Sequence, residues 1–162
     1  MNIKKQLIEF FGTGRMPSGT LIASVIAAVI GTFVIMNIGL ETLFMLLLLL
    51  SIVGVFEINN YLNAHTNATT ATITLNTVVG TWLALLISFS SAIGYELPYA
   101  HWGAALLAVG GYMLFWQWRP STIGWLLREV EGGLGIILAS LLSGIAGGFL
   151  ATLLLKGMSS FL

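Results

Sequence analysis

Leu43-Phe44-Met45-Leu46-Leu47-Leu48-Leu49-Leu50-Ser51-Ile52-Val53-Gly54-Val55 is apolar at nearly every position, and Ile136 to Leu155 is a second run of the same kind. Neither run shows the in/out alternation that a barrel strand requires. A bilayer pairs every backbone donor and acceptor internally, which leaves a helical bundle or a closed barrel. Without the alternation, the helical bundle remains.

Composition agrees with this reading. Of 162 residues, 57% are hydrophobic and 7% charged, with a mean hydropathy of +0.98, whereas a soluble domain carries roughly 25% charged residues. At roughly 20 residues per crossing, the chain has room for about five spans and little else. The expected fold is an all-α, polytopic integral membrane bundle, one domain over residues 1–162. Residues 1–15, with Lys4, Lys5 and Glu9, read as a short amphipathic lead into a retained first helix. The chain has no cysteine, so disulfide and thiolate chemistry are excluded. Zero formal net charge supplies no field to attract nucleic acid.

Spans are expected at about 19–36, 40–56, 72–89, 102–118 and 135–155, with Thr72 to Thr77 forming a polar helix end covered by neighbours. This count puts Lys4, Lys5, Arg15, Arg119 and Arg128 on the N-terminal side and Lys156 on the other. Because the cytoplasmic side keeps the cations, the N-terminus is expected inside. Glu57, His65, Glu129 and Glu131 fall on the same side, where any site should lie. His65 and His101 fall on opposite sides, which argues against a two-histidine metal site. In the last span Ala139, Ser143, Gly147 and Ala151 make one small-residue stripe, and Ser140, Gly144 and Gly148 another. The first span repeats the pattern with Ala23, Ala27 and Gly31. Such stripes serve close packing within the bundle or a face between copies of the chain.

Two glycine-rich entrances face the cation side. One brackets Arg15 with Ser18, Gly19 and Thr20. The other holds Gly132, Gly133 and Gly135 beyond Arg119 and Arg128. Arginine forks match phosphate oxygens, and amides at a helix start favour anions. The same residues also serve as interfacial anchors and tight turns. Arg15, Gly19, Thr20, Arg119, Arg128, Gly132 and Gly133 are therefore the candidates for holding a phosphate or headgroup. Asn76 and Thr77 lie in an apolar setting and are expected to face other helices or a cavity. The chain has no aspartate, and its acids are Glu9, Glu41, Glu57, Glu96, Glu129 and Glu131. Among these, only Glu57, Glu129 and Glu131 are expected to be placed to cooperate on a metal ion.

In order and spacing these pieces resemble the phosphatidylglycerophosphatase A family of bacterial inner-membrane lipid phosphatases, over nearly the whole chain. Phe11-Gly12-Thr13-Gly14 and Pro17-Ser18-Gly19-Thr20 resemble that family's Phe-Gly-Ser-Gly and Pro-Gly-Thr entry. Ile73-Thr74-Leu75-Asn76-Thr77-Val78-Val79-Gly80-Thr81-Trp82 is similar to its Ile-Val-Ile-Asp-Glu-Val-Val-Gly-Met-Trp segment. Trp118-Arg119-Pro120 matches a Trp-Lys-Pro step, and Gly132 to Ser140 a Gly-Gly-x-Gly-Val-Met-x-Asp-Asp run. Glu57 falls where the family has an acid or polar residue.

The resemblance implies an acidic centre for magnesium and phosphate, but here its positions read Asn76, Thr77, Ala139 and Ser140, and a further family aspartate aligns with Trp116. Neutral side chains do not replace four carboxylates around a hard divalent cation. The expectation is therefore a retained fold that is catalytically inactive or severely impaired, with no bound cofactor, still holding an anionic phospholipid. Removing clustered carboxylates should also stabilise the bundle, as in a sequence optimised for folding over function. Two alternatives stay open: an active magnesium-dependent lipid phosphatase using Glu57 with Glu129 or Glu131, and a small channel, carrier or assembly protein.

Overall fold

The computed structural model describes residues 8–9, 18–65, 73–92 and 100–161. Arg15 and the glycine motif at 11–14 lie outside them. The described residues form the helices α1 (Gly19–Asn37), α2 (Leu40–Ala64), α3 (Leu75–Ala92), α4 (Ala100–Trp118), α5 (Ser121–Glu129) and α6 (Gly132–Phe161), and contain no strand. The expected all-helical membrane fold is what forms. By length and apolarity alone, α1, α2 and α6 cross a bilayer. With 18 and 19 residues, α3 and α4 reach about 27–29 Å, close to the thickness of the hydrocarbon core.

The outward face of α2 shows why water is not the solvent. Phe44, Met45, Leu49, Ile52 and Phe56 are all exposed large side chains, a surface that acyl chains cover. At 25 residues, α2 is about 37 Å long and overruns the hydrocarbon. It passes the expected end at Phe56 and carries Glu57, Asn59 and Tyr61 on its projecting turns.

Helix α3 is the centre of the bundle, packed mainly on α6 and α4. Every residue from Ile73 to Trp82 is buried, so the polar start of this span is indeed covered by neighbours. The helix begins at Leu75 rather than Thr72. Thr74 is still non-helical, and its amide donates to the Ile8 carbonyl at 3.0 Å. Close backbone approach requires the glycines of α6. A Cβ on Gly144 would meet the Gly80 carbonyl, and Gly147 lies against the backbone of Gly111. Ala139, Ser140, Ser143, Gly144, Gly147, Gly148 and Ala151 are all buried within the chain, so both stripes serve contacts inside the bundle. Helix α1 is clamped to α3 by the Ser24–Thr81 hydroxyl pair at 2.8 Å and by Trp82 Nε1 donating to the Ala27 carbonyl at 2.9 Å.

The segment after α4, expected as a loop, instead contains a helix. Pro120 stands at its N-cap, and the Gly124 amide donates to the Pro120 carbonyl at 3.0 Å. Ile123, Gly124 and Leu126 are buried, while Trp125 and Arg128 are exposed. Nine residues are too few to span but enough for an amphipathic helix lying along the bundle end.

Candidate functional site

The four positions where the family resemblance expects acids come together. Asn76 and Thr77 sit in the first turn of α3, and Ala139 and Ser140 lie early in α6. All four are fully buried. Asn76 Nδ2 donates to Ser140 Oγ at 2.9 Å, and the Tyr112 hydroxyl of α4 shares a hydrogen bond with the same Ser140 oxygen at 3.1 Å. One serine thus joins three helices. Gly80 makes this possible, because a Cβ there would collide with the Tyr112 ring and sit 2.8 Å from the Ser140 carbonyl oxygen.

Two oxygens in this cluster, Asn76 Oδ1 and Thr77 Oγ1, have no hydrogen-bond partner among the described residues. Thr77 faces the Tyr112 phenol without closing a bond of good geometry. The donor set therefore comprises neutral carboxamide, hydroxyl and phenol oxygens. Magnesium requires near-octahedral oxygen ligation supplied by carboxylates or phosphates, and a divalent charge buried among neutral groups lacks the paired charge that would offset its desolvation. The residues present do not fit magnesium. They contain no base, no activated nucleophile and no carboxylate, and their chemistry is that of a hydrogen-bonded junction.

The other acids are placed elsewhere. Glu57 is half-buried on α2, and Glu129 and Glu131 are exposed on either side of Val130. Among the described residues no three acid or histidine side chains are placed to share a metal ion. Glu9, by contrast, is buried and accepts a hydrogen bond from the Tyr61 hydroxyl at 3.2 Å. His65 stacks on the same tyrosine.

The headgroup candidates separate. Gly132 adopts a φ of 75°, which only glycine tolerates easily, and the Gly133 amide donates to Asn59 Oδ1 at 2.6 Å. That amide, expected to face an anion, is thus held by α2. Arg128 lies along its own helix near Gly124. Gly19 is buried at the start of α1. Thr20 and Arg119 line one cleft of about 360 Å³ together with Trp116 and Gln117. The Arg119 guanidinium carbon sits 5.8 Å from the centre of the Trp116 ring.

Tyr112 and Asn59 were not among the sequence candidates. A phenol inside an apolar span needs a polar partner, which was the available signal for Tyr112. Nothing in sequence spacing ties Asn59 to a turn 74 residues away. The model of the family described as phosphatidylglycerophosphatase A matches residues 6–155. No curated protein and no solved structure matches the chain.

Proposed function

The chain belongs to the phosphatidylglycerophosphatase A family, and from that premise we propose that it is a non-hydrolytic member, an integral membrane protein that holds an anionic phospholipid without releasing its phosphate. The observation that carries this reading is the Asn76–Ser140 hydrogen bond. Where metal-binding acids would face one another across α3 and α6, two neutral side chains bond directly. Without a divalent ion, both Lewis-acid polarisation of the phosphoryl group and activation of water near neutral pH are lost. That Glu57, Glu129 and Glu131 form no three-residue metal-holding group among the described residues supports this reading.

The lipid part of the proposal rests on the cations. Arg119 shares a cleft with Thr20 at the start of α1, while Lys156 lies near the far end of α6. The cation-rich end belongs in the cytoplasm by the positive-inside rule, in what the family suggests is a bacterial inner membrane. The test is phosphate release from phosphatidylglycerophosphate by the purified chain in detergent with millimolar magnesium. Release no greater than a protein-free control is expected. Turnover that a chelator abolishes would overturn the proposal.

A further inference from the structure

We infer that the cleft between the start of α1 and the end of α4 is the phosphate-binding subsite for an anionic phospholipid headgroup, with Arg119 as the charge, Thr20 and Gln117 as hydrogen-bonding walls and Trp116 as the floor. This deepens the lipid-holding half of the proposed function and rests on it.

Three features of the cleft point to an oxyanion. Its walls are polar although it opens at the end of two membrane helices. Thr20 is half-buried, Gln117 and Arg119 are exposed, and Trp116 is buried. The arginine has no carboxylate within salt-bridge distance among the described residues, which leaves its charge unneutralised by them. Its position is also fixed. Arg119 directly follows α4, with its amide bonded to the Phe115 carbonyl at 3.0 Å and a φ of 48°. Pro120 then prevents the helix from continuing.

The guanidinium is held over Trp116, whose ring is stacked on Tyr112 with centroids 6.2 Å apart and planes 14° from parallel. Tyr112 is in turn bonded to Ser140. The cation therefore rests on a column anchored in the buried junction, with its side chain ordered before any ligand arrives. An arginine held over an indole keeps its N–H fork free for phosphate oxygens.

The ligand is assigned as a lipid rather than free phosphate because of depth. Trp118, between the lining residues Gln117 and Arg119, is 71% exposed, and exposed indoles settle at the headgroup level of a bilayer. A cleft of about 360 Å³ also exceeds the needs of one inorganic phosphate and falls in the range of small-ligand sites.

The test is native mass spectrometry of the full chain released from detergent with dioleoyl phosphatidylglycerol, dioleoyl phosphatidylcholine or inorganic phosphate. Phosphatidylglycerol should be retained in preference to phosphatidylcholine. Arg119→Gln should weaken that retention about tenfold, as expected for loss of a charge-assisted hydrogen-bonding group. Thr20→Val should weaken it less, and Lys156→Gln should leave it unchanged. Should Arg119→Gln fail to fold, Arg119→Lys, which keeps the charge and loses the fork, should show an intermediate loss. Equal retention of both lipids, or retention indifferent to Arg119 and Thr20, would overturn the assignment. Arg119-dependent binding of inorganic phosphate without lipid preference would also overturn it, by making the ligand the free anion. The phosphate-release assay reads the non-hydrolytic proposal separately, so either can fail while the other stands.

Discussion

Asn76 brings an amide donor and a carbonyl acceptor into the middle of a membrane bundle, and Ser140 accepts from the donor while also bonding Tyr112. Replacing Ser140 by alanine removes both contacts and leaves the buried Asn76 amide without its partner. Hydrogen bonds between membrane helices are weak on average, about 0.6 kcal/mol, but orphaning a buried polar group costs about 1–3 kcal/mol. We expect Ser140→Ala to lower stability by about 1–2 kcal/mol, and Tyr112→Phe by less, because Asn76 keeps its acceptor. Thermal unfolding in detergent measures both, and a double-mutant cycle on Asn76 and Ser140 should return a favourable coupling. Additive effects would show that the bond contributes nothing. The same residue scale explains a limit of the sequence reading. Asn76, Thr77, Ala139 and Ser140 were visible as replaced acids, but only through family resemblance, since nothing local in Ile73 to Trp82 announces a partner on α6.

Helices meet in this protein where glycine removes the Cβ. Gly80 faces the Tyr112 ring and the Ser140 carbonyl, whereas Gly103 on α4 has nothing within 4 Å of its would-be Cβ. The two glycines therefore predict opposite outcomes for the same change. Gly80→Ala should separate α3 from α4 and α6 and destabilise the fold by about 3 kcal/mol, the upper end for overpacking, since backbone stands on one side. Gly103→Ala should be neutral or stabilising by up to about 1 kcal/mol through helix propensity. Unfolding midpoints of the two variants check this, and a tolerated Gly80→Ala would contradict the packing described. At this scale the sequence was most informative about long apolar runs and least about α5. Periodicity over nine residues is too short to distinguish from a polar turn, and Ile123 and Leu126 become an inward face only because α6 is there to receive them.

Across the whole molecule, a family frame surrounds a neutral junction, which has a consequence for metal dependence. Magnesium or a chelator should leave the unfolding temperature of the native chain unchanged, because the junction of Asn76, Thr77, Ala139 and Ser140 carries no carboxylate to distinguish the two conditions. Asn76→Asp, Thr77→Glu, Ala139→Asp and Ser140→Asp made together should destabilise the metal-free protein, since buried like charges repel and resist desolvation. Magnesium should then recover that stability, as any ligand of the folded state does, and phosphate release should appear with it. A magnesium-dependent shift in the native chain would show that neutral oxygens hold the ion after all.

What the sequence settled by itself was the solvent and the long membrane helices. Apolar runs of bilayer length admit few folds, and missing carboxylates cannot be supplied by folding. The tertiary structure alone decided which polar groups share a space. It placed Ser140 between Asn76 and Tyr112, assigned the Gly133 amide to Asn59, and put Thr20 and Arg119 on one cleft while leaving Arg128 along its own helix. The reason is physical: apolarity is a property of each residue and sums along the chain, whereas a hydrogen bond or a cleft depends on the relative rotation and register of helices distant in sequence, which is fixed only when glycines and small side chains on several helices pack at once.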